Sequence, residues 1–126
     1  MGAKPRMTFT AVVLDAPDPE ALGKFWSRLL GWPVAVHDET FVTVRPPGGA
    51  TGLSIQLEEN YVPPVWPAGD GDQQMQLHLD IEVDDLQAGV EHALAAGARL
   101  ADFQPQKDVR VFLDPVGHPF CFWVTT

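Results

Sequence analysis

Cysteine is nearly missing from this chain: Cys121 stands alone among 126 residues, so no disulfide can form within one chain. A lone thiol fits a reducing compartment, and the chain is expected to be cytoplasmic. Basic residues are scarce as well, with 8 Lys and Arg against 17 Asp and Glu and a formal charge of -9. Proteins that grip phosphate gain affinity when Lys and Arg displace counterions. The balance therefore argues against a nucleic-acid partner, and equally against an anionic membrane surface. Long apolar runs are also lacking. Nothing approaches the roughly 18 residues that cross a bilayer. Met1–Met7, with Lys4 and Arg6, has no apolar stretch of secretory-signal length. Residues 1–6 are expected to be a disordered tail. No Gly-rich phosphate loop, Ser-His-Asp order or CxxC pair occurs.

What is present is an ordinary globular composition, 45% hydrophobic and 20% charged, in a length that suits one domain over residues 1–126. Phe9–Asp15 is apolar and β-branched and predicts a strand. Asp18-Pro19-Glu20 predicts a helix start, because Asp18 can accept from free backbone N–H groups and Pro19 suits the first turn. Leu22, Phe25, Trp26 and Leu29 then recur at helical spacing, and Gly31 provides the stop. Strands are expected at about Pro33–His37, Phe41–Arg45 and Leu53–Glu58. Residues 59–75 hold three prolines and two glycines and read as a linker. The plan then repeats: a strand at Gln76–Val83, a helix opened by Asp84-Asp85 and stopped by Gly97, and short strands near Arg99–Ala101, Val109–Leu113 and Phe120–Thr125.

Offsets support a repeat. Asp18 and Asp84 lie 66 apart, and so do Gly31 and Gly97. Two β-α-β-β-β modules, about 8–58 and 76–126, are therefore expected to build an α+β domain. Strand alternation assigns the faces. Leu77, Leu79, Ile81 and Val83 should pack on a helix, leaving His78 and Asp80 on the opposite face. Leu53, Ile55 and Leu57 leave Ser54 and Gln56 there. Phe9, Ala11, Val13 and Trp123 should join them. In the linker, Tyr61 and Trp66 read either as a lid or as the seal of a dimer interface. His118 reads as a turn residue, and Arg45 and Arg110 as edge residues able to reach an acidic ligand.

The stretches VVLDAPDPEALGKFWSRLLGW, QLHLDIEVDDLQAGVEHALAAGA and DPVGHPFCFWV, in this order and spacing, resemble the vicinal-oxygen-chelate superfamily. That superfamily includes glyoxalase I, bleomycin-resistance proteins and extradiol dioxygenases, and the closest likeness is to its glyoxalase-like domain proteins. The resemblance implies paired modules whose curved sheet encloses a cup-shaped cavity. It also implies metal ligands from the first and last strand of each module. Those positions match Ala11 (or Val12), Gln56, His78 and Cys121, and the first cannot bind a metal. An amide and an imidazole are few ligands for a hard divalent ion. Cys121 between Phe120 and Phe122 reads as a small buried hydrophobe or as a third, softer ligand.

The expected function is thus small-molecule binding with an incomplete metal-ligand set, as in sequestration or resistance. Gln56, His78, Asp80, Cys121, Trp123, Phe9, Tyr61 and Trp66 are the expected ligand-binding residues. No catalytic residue is assigned and no cofactor is expected. The alternative is an enzyme of lyase, isomerase or dioxygenase type using His78 with Gln56 or Cys121, with a divalent metal or as an acid/base pair. A third reading is an interaction module whose cup is filled by its own side chains. A homodimer is expected from the resemblance.

Overall fold

The computed structural model describes residues 4–125; of the expected tail, residues 1–3 lie outside the described residues, as does Thr126. Strand β1 (Ala11–Ala16) leads to helix α1 (Pro19–Leu30), then β2 (Val34–Asp38), β3 (Phe41–Val44) and β4 (Gly52–Leu57). The second module follows the same order: β5 (Leu79–Glu82), α2 (Leu86–Ala96), β6 (Arg99–Leu100), β7 (Val109–Leu113) and β8 (Pro119–Trp123). Each module forms one four-stranded sheet, ordered β1-β4-β3-β2 and β5-β8-β7-β6. In both, the first strand runs parallel to the last because the helix carries the chain back across the sheet. The architecture is α+β, as expected.

The helix caps correct one detail of the repeat. Asp18 caps α1 by accepting from the Ala21 amide at 3.2 Å. Its counterpart is Asp85, which accepts from Ala88 at 3.0 Å, and not Asp84. The N-cap offset is therefore 67, while Gly31 and Gly97, both left-handed, keep 66. The second helix is shorter by one residue, 11 against 12. Strands β1 and β5 each begin two or more residues later than expected. Phe9 falls before β1, and β5 begins only at Leu79: Gln76 and Leu77 line one cleft, with Leu77 50% exposed instead of packed on a helix, and His78 lines another.

The core lies between the sheets and the two helices. Trp26, Phe25, Phe112 and Phe120 are wholly buried and Phe122 nearly so. Their rings meet at centroid distances of 5.0 to 6.2 Å across the module boundary and within the second module. Each such pair contributes about 0.5–1.5 kcal/mol beyond burial. Helix α1 sits so close to β3 that a Cβ on Gly23 would stand 2.6 Å from Val42 Cγ1.

Polar contacts join the modules. Arg28 donates from Nε and Nη2 to the Ala96 carbonyl, at 3.2 and 2.9 Å, satisfying a free acceptor at the end of α2. His92 donates from Nε2 to the Leu29 carbonyl at 2.8 Å. Buried Trp26 donates from Nε1 to Asp114 Oδ2 at 3.1 Å. Asp114 Oδ1 also accepts from the Val116 and His118 amides at 3.0 and 2.9 Å, so one carboxylate shapes the closing turn and ties it to α1. Burial pushes this carboxyl above the usual carboxylate range, against the opposing pull of His118 and of the three donated hydrogen bonds. No helix among the described residues is long and apolar enough to cross a membrane.

Candidate functional site

Two clefts flank the second module's first strand. The larger, of about 470 Å³, opens between β1 and the linker. Its apolar wall is Val13, Val62, Pro64, Met75 and Leu77, and its polar groups include Asp15, Gln73, Gln74 and His118. Tyr61 fixes the linker here, donating its hydroxyl to the Val116 carbonyl at 3.0 Å and lying 5.2 Å from the His118 ring. Burial, aided by the charges of Asp114 and Asp15, holds the Tyr61 phenol well above its ordinary value of 10.0. His118 in turn donates from Nε2 to the Asp15 carbonyl at 2.8 Å, so the closing turn of the second module braces the first strand of the first.

The smaller cleft, of about 260 Å³, is lined by His78, Asp80, Gln106, Asp108, Val109, Cys121, Trp123 and Val124. Three of these converge. Asp80 and Cys121 are partners on the parallel β5–β8 ladder, so their side chains share one face. His78, two residues before Asp80, shares it too, with Nε2 3.3 Å from Asp80 Oδ1. One donor atom from each of the three lies within 4.8 Å of the others. Burial, and after it the Asp80 carboxylate, push the Cys121 thiol up to about 11. A thiol so raised is no nucleophile at neutral pH.

The remaining expected site residues go elsewhere. Gln56 donates from Nε2 to Asp15 Oδ1 at 2.8 Å on the first module's exposed face and lines neither cleft. Phe9 is 70% exposed, precedes the strand, and also lines neither cleft. Trp66 packs 6.1 Å from Phe103, donates to its carbonyl at 3.3 Å, and covers Ala101, Val111 and Cys121. The linker thus straps over its own chain: Tyr61 walls the larger cleft and Trp66 backs the smaller. Arg45 and Arg110 donate to backbone carbonyls and line neither cleft.

The ladders also change which positions correspond. Val13 pairs with Ser54 and Asp80 with Cys121, each rung five residues before its helix cap. Cys121 is therefore level with Ser54, whereas Gln56 is level with Trp123. The sequence resemblance had treated Gln56 and Cys121 as equivalent. With Ala11 lacking a donor atom and Gln56 lining neither cleft, the four superfamily ligand positions do not fit a shared metal centre. Sequence reasoning missed Asp15, Gln73 and Gln74 and gave His118 only a turn role. Alternation along β1 was the available signal for Asp15, since it extends the row of Ala11 and Val13.

No curated protein matches the chain significantly. Solved structures similar in fold include a glyoxalase/bleomycin resistance protein/dioxygenase family enzyme from Burkholderia phytofirmans PsJN. It has a TM-score of 0.71 and 18% identity, over 95% of this chain and 100% of that one. A glyoxalase/bleomycin resistance protein from Albidiferax ferrireducens T118 has a TM-score of 0.60 and 22% identity, over 94% and 98%. A superfamily member from Sphaerobacter thermophilus DSM 20745 has a TM-score of 0.64 and 18% identity, over 95% and 98%. At these identities the likeness carries the fold alone. The family model described as a glyoxalase-like domain matches residues 11–123. The chain belongs to the glyoxalase-like domain family.

Proposed function

We propose that this protein binds a small, partly apolar molecule in the cleft between β1 and the linker, as a sequestering or sensing protein. The observation that carries this reading is the cleft itself. Its volume of about 470 Å³ falls in the usual range for small-molecule sites, which runs from about 300 to 1,000 Å³. Its apolar wall surrounds a few polar groups, the usual composition of such a site. Asp15 and Glu58 line it and no Lys or Arg does, so the favoured ligand is neutral or cationic with hydrogen-bond donors. A cytoplasmic homodimer is part of the proposal, supported by the lone cysteine and by the superfamily resemblance.

The test is a thermal-shift screen of partly apolar amines and neutral compounds. A ligand present at about a hundred times its dissociation constant adds about 2.7 kcal/mol, enough to raise Tm by several degrees. Leu77→Glu, which removes part of the apolar wall at a position already 50% exposed, should diminish the shift given by neutral compounds without lowering the unliganded Tm. A broad screen without a hit, or hits unchanged by Leu77→Glu, would overturn the reading.

A second reading, an enzyme of lyase, isomerase or dioxygenase type, draws support from the convergence of His78, Asp80 and Cys121. In that case His78 works with Cys121 and Asp80, because Gln56 lies outside their cleft.

A further inference from the structure

We propose that His78, Asp80 and Cys121 form a zinc-type transition-metal site built entirely by the second module. This goes beyond the binding reading, and it concerns the other cleft. The superfamily arrangement draws ligands from both modules, and here Ala11 has no donor atom and no first-module residue lines the smaller cleft. The second module has gained a ligand instead: Asp80 stands on the face that alternation shares with His78 and on the rung that pairing shares with Cys121.

The donor geometry is close to what zinc needs. Zinc binds thiolate sulfur at about 2.3 Å and imidazole nitrogen or carboxylate oxygen at about 2.0–2.2 Å. Tetrahedral donors at those lengths are about 3.3–3.6 Å apart. His78 Nε2 and Asp80 Oδ1 already stand 3.3 Å apart, and all three donor atoms lie within 4.8 Å. Small side-chain rotations close the difference. His78 and Asp80 are exposed and free to make them, while buried Cys121 supplies the fixed point.

The chemistry selects the ion. A thiolate with an imidazole and one carboxylate suits zinc, cobalt or nickel and not magnesium or calcium, which prefer all-oxygen shells. Charge agrees. The cleft also holds Asp108 and no Lys or Arg, so a cation meets two carboxylates there without a competing basic side chain. Three protein ligands leave a fourth position, and the cleft on which Gln106 and Trp123 border gives it access to water or to a small ligand.

The test uses the full chain, freed of metal with a chelator and titrated with cobalt(II) and then zinc(II). The expected result is one equivalent of cobalt, with tetrahedral d–d bands and a sulfur-to-cobalt charge-transfer band that zinc displaces. His78→Ala and Asp80→Ala, at exposed positions, should each weaken binding at least about tenfold while leaving the far-UV spectrum unchanged. Cys121→Ser should remove the charge-transfer band. Gln56→Ala should change nothing. Absence of stoichiometric cobalt, a spectrum without the sulfur band, full affinity in both exposed variants, or loss of binding in Gln56→Ala would each overturn the site. Ligand shifts sensitive to Leu77→Glu report on the other cleft, so either proposal can fail alone.

Discussion

The single cysteine allows a direct test of the smaller cleft without metal present. Burial and the neighbouring Asp80 carboxylate move the Cys121 thiol from 9.0 to about 11. Alkylation proceeds through the thiolate. Two pKa units mean about a hundredfold less thiolate than an unperturbed thiol has at the same pH: near pH 8, about one part in a thousand against about one in ten. With only 9% of the residue exposed, steric access slows the reaction further. The folded protein, in chelator at pH 8, should therefore react with iodoacetamide at least about a hundredfold more slowly than the same chain in denaturant, followed by intact mass. Asp80→Asn removes a charge and an acceptor but leaves burial, the largest cause, in place. It should recover only part of that factor. A folded-state rate within tenfold of the denatured rate would refute the account of Cys121.

Two other groups give equally specific outcomes. Tyr61 is the only tyrosine, so phenolate absorbance reports on it alone. With its folded pKa raised above 10.0, the unfolded chain releases the proton first and stability falls as pH climbs past that value. Absorbance should stay silent through pH 10 and rise only as the chain unfolds, and an ordinary titration near pH 10 in the folded state would contradict this. Asp114→Ala leaves Trp26 Nε1 buried without an acceptor and frees two half-buried amides. At about 1–3 kcal/mol for each buried unsatisfied group, partly offset by water at the amides, the loss should be about 2–4 kcal/mol. That is a fall in Tm of roughly 8–15 °C for this length, and calorimetry showing a loss under about 1 kcal/mol would count against the clamp. Because burial raises the Asp114 carboxyl from 3.8, its contribution is fullest below that value and declines as pH rises through the folded value. Asp114→Asn should flatten that part of the stability profile.

Much of the fold was legible because it depends on local chemistry. Asp18, Pro19 and Gly31 mark a helix by capping physics alone, and Gly97 does so again. Alternation placed Leu53 and Ile55 on the core side and His78, Asp80 and Trp123 on the other, and the burial and cleft lining agree. What the sequence did not reveal depends on pairing between distant segments. Asp84 and Asp85 are equally good caps on paper, and the strand before them decides between them. The β5–β8 register makes Asp80 the neighbour of Cys121, and no local pattern announces a register. The larger cleft was hidden for a similar reason. Its wall joins β1, both ends of the linker and the closing turn, segments that meet only once Trp26 and Asp114 have locked the modules together.

The matching rungs of the two modules bring different donor atoms together. On the first module's rung Asp15–Gln56, the amide donates to the carboxylate at 2.8 Å. The level rung in the second module is Glu82–Trp123, where Glu82 accepts from Thr125 at 2.8 Å and the indole faces the smaller cleft. One rung lower the contrast is sharper: Val13–Ser54 offers one hydroxyl, whereas Asp80–Cys121 offers a carboxylate and a thiol with His78 beside them. A carboxylate with only an imidazole and a reluctant thiol for company retains most of its charge for a ligand. The first module contributes Val13 and the Asp15 and Glu58 carboxylates to the larger cleft, and the second brings the donor atoms of His78, Asp80 and Cys121 together.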